Sequence, residues 1–187
     1  MHLSFINTRG QAGLDAPPIT VEVHLSAGLP AFQVVGLGES RSREIRSRVR
    51  AALISSHLKW PDFNITVNLT PAERVTPGTR FDLPIAVGLL VASQQLPADA
   101  IEGREFIGEL GLDGCLKPCR GALAAVLAAA RDGTTLCLAM ESSAQMANVD
   151  GSRLIAAPDL LSLCASLKAA DPQFAAPQST HPDEACD

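Results

Sequence analysis

The sequence predicts an α/β domain in which a mixed sheet packs with helices. Hydrophobic residues make up 47% of the chain and aromatic residues only 4%, which is typical of a core built from aliphatic side chains. Short segments that alternate apolar and polar residues predict strands, and they lie between longer segments with helical spacing. A chain of 187 residues is long enough for one such domain and a tail.

The first third of the chain predicts a hairpin, a helix and a strand. Residues 21–25 alternate strictly and are followed by a turn and residues 31–35, so we expect two paired strands. Residues 40–57 place Ile45, Val49 and Leu53 on one face at helical spacing. Residues 63–69 predict a further strand. A loop rich in proline follows over residues 71–79.

The middle of the chain predicts a central helix and a second hairpin. Asp82 is a candidate N-cap for a helix over residues 83–95, which is apolar on nearly every face and therefore predicted to be buried. Asp113 and Gly114 predict the turn of a hairpin between residues 107–112 and 115–117. The remaining predicted elements are helix 121–131, strand 135–139, helix 142–148, strand 153–156 and helix 159–169, the last capped by Asp159.

Composition divides the chain into a folded domain, residues 1–168, and a tail, residues 169–187. The tail is polar, rich in proline and aperiodic, so we expect a flexible linker toward a further domain.

Charge distribution, hydropathy and cysteine content indicate which binding sites and which cellular location to expect. Residues 1–95 carry a net charge of +2 and residues 96–187 a net charge of −7, so any contact with nucleic acid is expected in the first half. No apolar run is long enough to span a membrane and the first ten residues do not resemble a signal peptide, which predicts a cytoplasmic protein. The five cysteines are expected to be reduced thiols, with no metal site.

The clearest local concentration of charge lies at the start of the first predicted helix. On that helix Arg43, Arg46 and Arg50 line up opposite the apolar stripe, while Arg41 and Arg48 flank it. Such a row can contact phosphates, or it can be a solvated or protein-contacting helix face. The sequence contains no P-loop and no motif of a hydrolase or metalloprotease.

Several motifs in register give the chain a family resemblance. They include Val21-Glu-Val-His-Leu-Ser, Ile65-Thr-Val-Asn-Leu-Thr-Pro-Ala-Glu, Arg80-Phe-Asp-Leu-Pro-Ile-Ala and Gly108-Glu-Leu-Gly-Leu-Asp-Gly. With these motifs the chain, from about residue 3 to residue 167, resembles the opening domain of the Mg-chelatase-like proteins of the ComM/YifB family. It departs from the family at Gly38, usually a proline, and at residues 75–77, where the family usually carries a lysine.

The resemblance implies a fold similar to the Lon protease domain and to domain 2 of ribosomal protein S5. It also implies that an AAA+ ATPase domain, absent from this chain, forms hexamers, uses ATP and Mg²⁺ and acts on single-stranded or branched DNA, as in branch migration during natural transformation. No cofactor is expected in this chain itself. Besides Arg41, Arg43, Arg46 and Arg50, the candidate contacts to nucleic acid or a partner are Arg74 and Arg80.

The same resemblance raises the alternative of a Ser–Lys peptidase. Placed by motif, the nucleophile position is occupied by Asp82 and the lysine position by Leu123. A carboxylate cannot act as the alkoxide of that mechanism, and a leucine cannot accept its proton. We therefore expect an accessory domain without catalytic activity, serving DNA contact or ring assembly, and a pure oligomerisation module remains the second hypothesis.

Overall fold

A computed structural model describes residues 2–74, 78–146 and 148–169 of the chain. Its strands are β1 (His2–Arg9), β2 (Pro18–Ser26), β3 (Ala31–Val34), β4 (Asn64–Thr70), β5 (Arg104–Phe106), β6 (Glu109–Leu110), β7 (Leu116–Lys117), β8 (Thr135–Ala139) and β9 (Arg153–Ala157). Its helices are α1 (Glu39–Ser55), α2 (Asp82–Ala92), α3 (Ala122–Asp132), α4 (Met140–Met146) and α5 (Leu160–Lys168). Short 3₁₀ turns occur at Ala72–Arg74 and Ala98–Ile101.

Seven strands form one mixed sheet in the order β3-β4-β2-β1-β5-β8-β9, and β6 pairs with β7 in a separate hairpin. The pairs β1–β2 and β2–β4 are antiparallel, while the pairs β3–β4, β1–β5, β5–β8 and β8–β9 are parallel. The predicted α/β class with a mixed sheet is therefore confirmed.

Helices cover the two halves of the sheet differently. In β8 the side chains of Leu136 and Leu138 pack in one apolar cluster with α3, whereas Cys137 and Ala139 face the main core with α2 and α5. Successive side chains of a strand point to opposite faces, so this half carries helices on both faces. In β1 and β2 only one face is buried, and Leu3 and Phe5 lie exposed on the other.

The predicted hairpin between residues 21–25 and 31–35 is wrong. Both strands exist, but β4 lies between them and pairs with each, antiparallel to β2 and parallel to β3. Helix α1 connects β3 to β4, as a parallel pair requires, because the chain must return to the same end of the sheet.

Strand β1 was not predicted, because apolar and polar residues are mixed on both of its faces. Leu3 and Phe5 point away from the core; Ile6 points into it, and so do the polar Ser4 and Thr8. Their hydroxyls donate to the carbonyls of Gly88 at 2.8 Å and Phe106 at 2.6 Å, which satisfies both buried groups.

Most of the other predicted elements are present with small shifts at their ends, but the strand predicted over residues 107–112 is reduced to Glu109–Leu110, and β5 just before it was not predicted. The helix predicted over residues 142–148 begins at Met140, and residue 147 lies outside the described residues. Helix α2 is buried along nearly its whole length, and β6 and β7 pair around the predicted turn. Asp159 caps α5, where its carboxylate accepts from the backbone N–H of Ser162 at 2.7 Å. None of the helices in the described ranges is long and apolar enough to cross a membrane.

The prediction that Asp82 is the N-cap of α2 is wrong. Phe81 occupies the cap position without a side-chain hydrogen bond, and Asp82 is the first residue of the helix. The carboxylate of Asp82 is engaged elsewhere, by Arg48. The expected linker, residues 169–187, and the sequence departure at residues 75–77 lie outside the described residues, apart from Ala169.

Candidate functional site

Helix α1 carries a row of exposed arginines. Its apolar residues Ile45, Val49 and Leu53 are buried, which turns the arginine-rich side toward solvent. Arg43, Arg46 and Arg50 follow one another at intervals of three and four residues, so they share one side of the helix over about 10 Å. Arg41, Arg43, Arg46 and Arg50 are all exposed.

Charge in this row is only partly compensated. Arg43 forms an ion pair with Glu39 one turn earlier, at 2.8 Å. In the described ranges no ion pair involves Arg41, Arg46 or Arg50. The row is therefore available to an anionic partner.

Arg48 belongs to the same helix but has a different role. Its guanidinium donates from Nε to Oδ2 of Asp82 at 2.8 Å and from Nη2 to Oδ1 at 3.1 Å. Asp82 is 1% exposed, and burial raises the pKa of its carboxyl, while Arg48 and a hydrogen bond from the backbone of Leu110 oppose that shift. The pair joins α1 to the start of α2.

Arg80 is not a surface contact, which corrects its predicted role. It is 5% exposed, and its Nη1 donates to the carbonyls of Arg9 at 3.2 Å and Gly10 at 2.6 Å. Its Nη2 donates to Gln11 and to the carbonyl of Arg120. Arg80 thus holds the end of β1 against the segment before α3.

Arg74 is exposed, as predicted, but it lies apart from the α1 row in the contacts described. It borders a cleft formed by the loop after β1 and the end of α3, which is also lined by Arg131 and Asp15. The structure therefore separates the six predicted arginines into the exposed α1 row, Arg74 at this cleft and the buried Arg80.

The two positions that the resemblance assigns to a catalytic dyad lie at the starts of α2 and α3. Asp82 is paired with Arg48, and Leu123 is 51% exposed. The segments just before these helices, with Thr79 and Arg80 on one side and Cys119 and Arg120 on the other, line a cavity of about 260 Å³. Neither Asp82 nor Leu123 lines it.

Two cysteine thiols are buried and unreactive in character. Burial raises the pKa of Cys137 to about 12 and that of Cys164 to about 11. A thiol with such a pKa is protonated at neutral pH and is a poor nucleophile.

The sequence analysis did not predict two ion pairs that involve buried side chains. Besides Arg48–Asp82, Arg9 donates to both carboxylate oxygens of Glu105, at 2.6 and 2.7 Å, and contacts Asp132. The sequence offered one signal for the first pair: Arg48 flanks an apolar stripe, and Asp82 begins a helix that is otherwise apolar. Arg9 and Glu105 lie 96 residues apart, and no local pattern joins them.

Comparison with known proteins identifies relatives over most of the chain. The family model described as subunit ChlI of Mg-chelatase matches residues 21–142. The protein YifB of Escherichia coli (strain K12) is 42% identical over 168 residues, which is 90% of this chain and 33% of that protein. YifB of Salmonella typhimurium is 43% identical over the same shares.

A third relative is named as a competence protein. The competence protein ComM of Haemophilus influenzae is 42% identical over 161 residues, 86% of this chain and 32% of that protein. This chain spans about a third of the length of these relatives. The chain belongs to the ComM/YifB family of Mg-chelatase-like proteins.

Proposed function

We propose that this chain is a non-catalytic accessory domain of a larger ATP-driven motor and that it contacts DNA through the arginine row of α1. The observation that carries the proposal is that Arg41, Arg46 and Arg50 lie exposed on α1 and form no ion pair within the described ranges of the chain. Arginine side chains on such a helix bind phosphates and release counterions from the DNA. The name of one relative, competence protein ComM, is in keeping with a role at DNA.

The absence of catalysis is proposed from the two dyad positions. The Asp82 carboxylate is held by Arg48, and Leu123 has no titratable group. We further propose that the fold is similar to that of the Lon protease domain, as the resemblance implies. From the same resemblance we propose that the rest of the full-length protein binds ATP and Mg²⁺. The sequence of this chain contains no P-loop of its own.

Replacing Arg43, Arg46 and Arg50 by glutamate tests the DNA contact. In the wild-type chain, log K for single-stranded and junction DNA should fall linearly with log salt. Because each phosphate contact contributes about 0.7–0.9 to that slope, the triple variant should lose about two units of slope and most of its affinity at low salt. Titration of labelled DNA at several salt concentrations measures both.

A control variant separates local contact from net charge. Replacing the exposed Arg131, Arg153 and Lys168 by glutamate changes the net charge by the same amount on α3, β9 and α5. We expect this variant to keep most of the affinity. If the α1 variant binds as the wild type does, or if the control loses as much, α1 is not a DNA contact.

A second function, ring assembly, is favoured by the opposite charges of the two halves of the chain. In that case the arginine row meets the acidic half of a neighbouring copy. Sedimentation of the wild-type chain would then show self-association that the α1 variant loses, and DNA affinity would be unaffected.

A further inference from the structure

The end of α1 and the turn of the β6–β7 hairpin present two exposed aliphatic side chains at one place. Ile54 is 49% exposed and Leu112 is 62% exposed. The hydroxyl of Ser55 donates to the carbonyl of Leu112 at 2.8 Å, so both side chains project from the same part of the surface. We call this pair the apolar tip. Aliphatic side chains gain free energy when another surface removes them from water.

The apolar tip is held in place by the fold itself. A Cβ at Gly114 would lie 2.4 Å from Oγ of Ser56 and 3.3 Å from the carbonyl oxygen of Ala52, so glycine lets the hairpin pack closely on the last turns of α1. The carbonyl of Gly114 also accepts from the backbone N–H of Leu160 at 2.9 Å. A surface fixed in this way loses little conformational entropy when it binds.

A depression of about 540 Å³ lies at the end of α2. The start of β1, the last turn of α2 and the segment after it form its apolar walls, which include Leu3, Val91, Ala92, Leu96, Pro97 and Ala98. We call it the α2 pocket. Its volume falls within the range of about 300–1,000 Å³ that is usual for ligand pockets. No residue of the apolar tip lines the pocket, so each copy of the chain offers both surfaces.

The charges beside the two surfaces have opposite signs. Arg50 lies one turn before the apolar tip on α1 and is exposed. Asp99 and Glu102, which follow directly after the residues of the α2 pocket, are also exposed. Within the described ranges, none of these three residues forms an ion pair. Their charges are therefore available to a partner of opposite charge.

Other charges near the two surfaces leave this complementarity in place. Asp113 and Lys117 of the hairpin offset each other in charge. The guanidinium of Arg104, close to Glu102 in sequence, donates to the carbonyl of Ala100. The apolar tip thus remains flanked by a positive charge and the α2 pocket by negative ones.

We propose that two copies of this chain associate by placing the apolar tip of one in the α2 pocket of the other, with Arg50 facing Asp99 and Glu102 of the second copy. The proposal rests on the second function named above, ring assembly, and identifies the surfaces that would carry it. Contact between two different patches of one chain joins copies head to tail, or closes a two-fold pair when each copy fills the pocket of the other. Opposite charges at the rim favour the correct partner and register.

Two variants test the interface from its two sides. The tip variant carries Ile54→Asp and Leu112→Asp, and the pocket variant carries Leu3→Asp and Ala98→Asp, all at exposed positions. Sedimentation velocity of the full chain over a wide range of concentration should show association in the wild type. Each variant should weaken it about tenfold or more, because a charge replaces a central apolar contact. The control Leu29→Asp, at an exposed leucine outside both surfaces, should stay within about twofold of the wild type.

Mixing the tip variant with the pocket variant is the sharpest test. An equimolar mixture still contains one intact tip and one intact pocket, so it should associate about tenfold more tightly than either variant alone. Urea unfolding first checks that each variant is folded. Serine replaces aspartate in any variant whose unfolding midpoint has fallen, since an unfolded chain could not complement its partner.

Three results would overturn the proposal: a wild-type chain that stays monomeric at every concentration, a tip or pocket variant that associates as the wild type does, or a mixture that associates no more tightly than its components. Association that the tip and pocket variants keep but the α1 triple-glutamate variant loses would support ring assembly by the arginine row and reject this interface. None of the tip, pocket or control substitutions changes an arginine, so failure of the DNA contact by α1 is distinguishable from failure of this interface.

Discussion

Asp82 and Arg48 show how a buried carboxylate and a partly buried guanidinium can hold two helices together. The carboxylate is 1% exposed and is satisfied by both guanidinium contacts and the backbone of Leu110. Removing one partner of such a pair leaves an uncompensated charge in a region of low dielectric constant, which costs more than the pair itself contributes. The identity of residue 82 therefore depends on residue 48, although 34 positions separate them.

Replacing Arg48 by methionine should lower the free energy of unfolding by about 3 kcal/mol, because Asp82 then stays buried without its partner. Urea denaturation measures this change. The control Arg46→Met, on the exposed side of α1, should change stability by less than about 0.5 kcal/mol. The double variant Arg48→Met with Asp82→Leu should recover part of the loss; strictly additive effects would contradict the coupling.

The pH dependence of Arg48→Met follows from the pKa of Asp82. Burial raises that pKa above the ordinary 3.8, and Arg48 opposes the rise, so the variant should have a still higher pKa. A carboxyl whose pKa is raised in the folded state makes the protein less stable as pH increases from the pKa of the unfolded state through the pKa of the folded state. The destabilisation by Arg48→Met should therefore be smaller at pH 4 than at pH 7. A larger effect at pH 4 would reverse this assignment.

At the scale of elements, α2 packs on β1 and β2 through a glycine. A Cβ at Gly88 would lie 2.6 Å from Cγ2 of Val23 and 3.3 Å from Cγ1 of Ile6. The carbonyl of Gly88 also accepts the hydroxyl of Ser4. The close approach of helix and sheet thus depends on the missing side chain, in a helix interior where glycine is otherwise unfavourable.

Gly88→Ala should destabilise the protein by about 1–2 kcal/mol, because overpacking against the stiff side chain of Val23 exceeds the roughly 1 kcal/mol that alanine gains in helix propensity. Thermal and urea unfolding measure the change, and the effect should shrink in a Val23→Ala background. Gly38→Ala is the control, since a Cβ there meets nothing within 4 Å. Stabilisation by Gly88→Ala would show that the helix can move away from the sheet at little cost.

Most elements could be predicted from the sequence, but their pairing could not. Helix α1 follows from apolar periodicity, α2 follows from a continuous apolar segment after Asp82, and the turn between β6 and β7 follows from Asp113 and Gly114. The pairing of β2 does not follow from the sequence. The same alternating pattern is compatible with a hairpin between β2 and β3 and with the observed arrangement, in which β4 lies between them. Strand β1 escapes a hydrophobicity criterion because, beside the apolar Ile6, its core-facing residues Ser4 and Thr8 are polar and bonded to distant carbonyls.

For the whole molecule, the sequence indicates where charge is concentrated but not which charges are buried. The exposed positions of Arg43, Arg46 and Arg50 follow from helical spacing alone. Arg80 could not be recognised as buried, since its acceptors Arg9, Gly10 and Arg120 are backbone groups about 40 to 70 residues away. An arginine that lies next to a buried helix in the sequence, as Arg80 does, therefore cannot be placed on the surface from its charge alone.

The extent of the folded unit is the last prediction. Leu160, Leu163 and Leu167 of α5 are buried in the main core, and α5 ends at Lys168. A chain shortened to residues 1–169 keeps every residue of that core, so its melting temperature should stay within about 2 °C of the full chain. A chain shortened to residues 1–158 loses three buried leucines, each contributing about 2–5 kcal/mol, and should not fold cooperatively. Calorimetry of both shortened chains measures where the folded domain ends. If the melting temperature of the 1–169 chain were many degrees below that of the full chain, residues 170–187 would belong to the folded domain, because only contacts made by that segment could account for the lost stability.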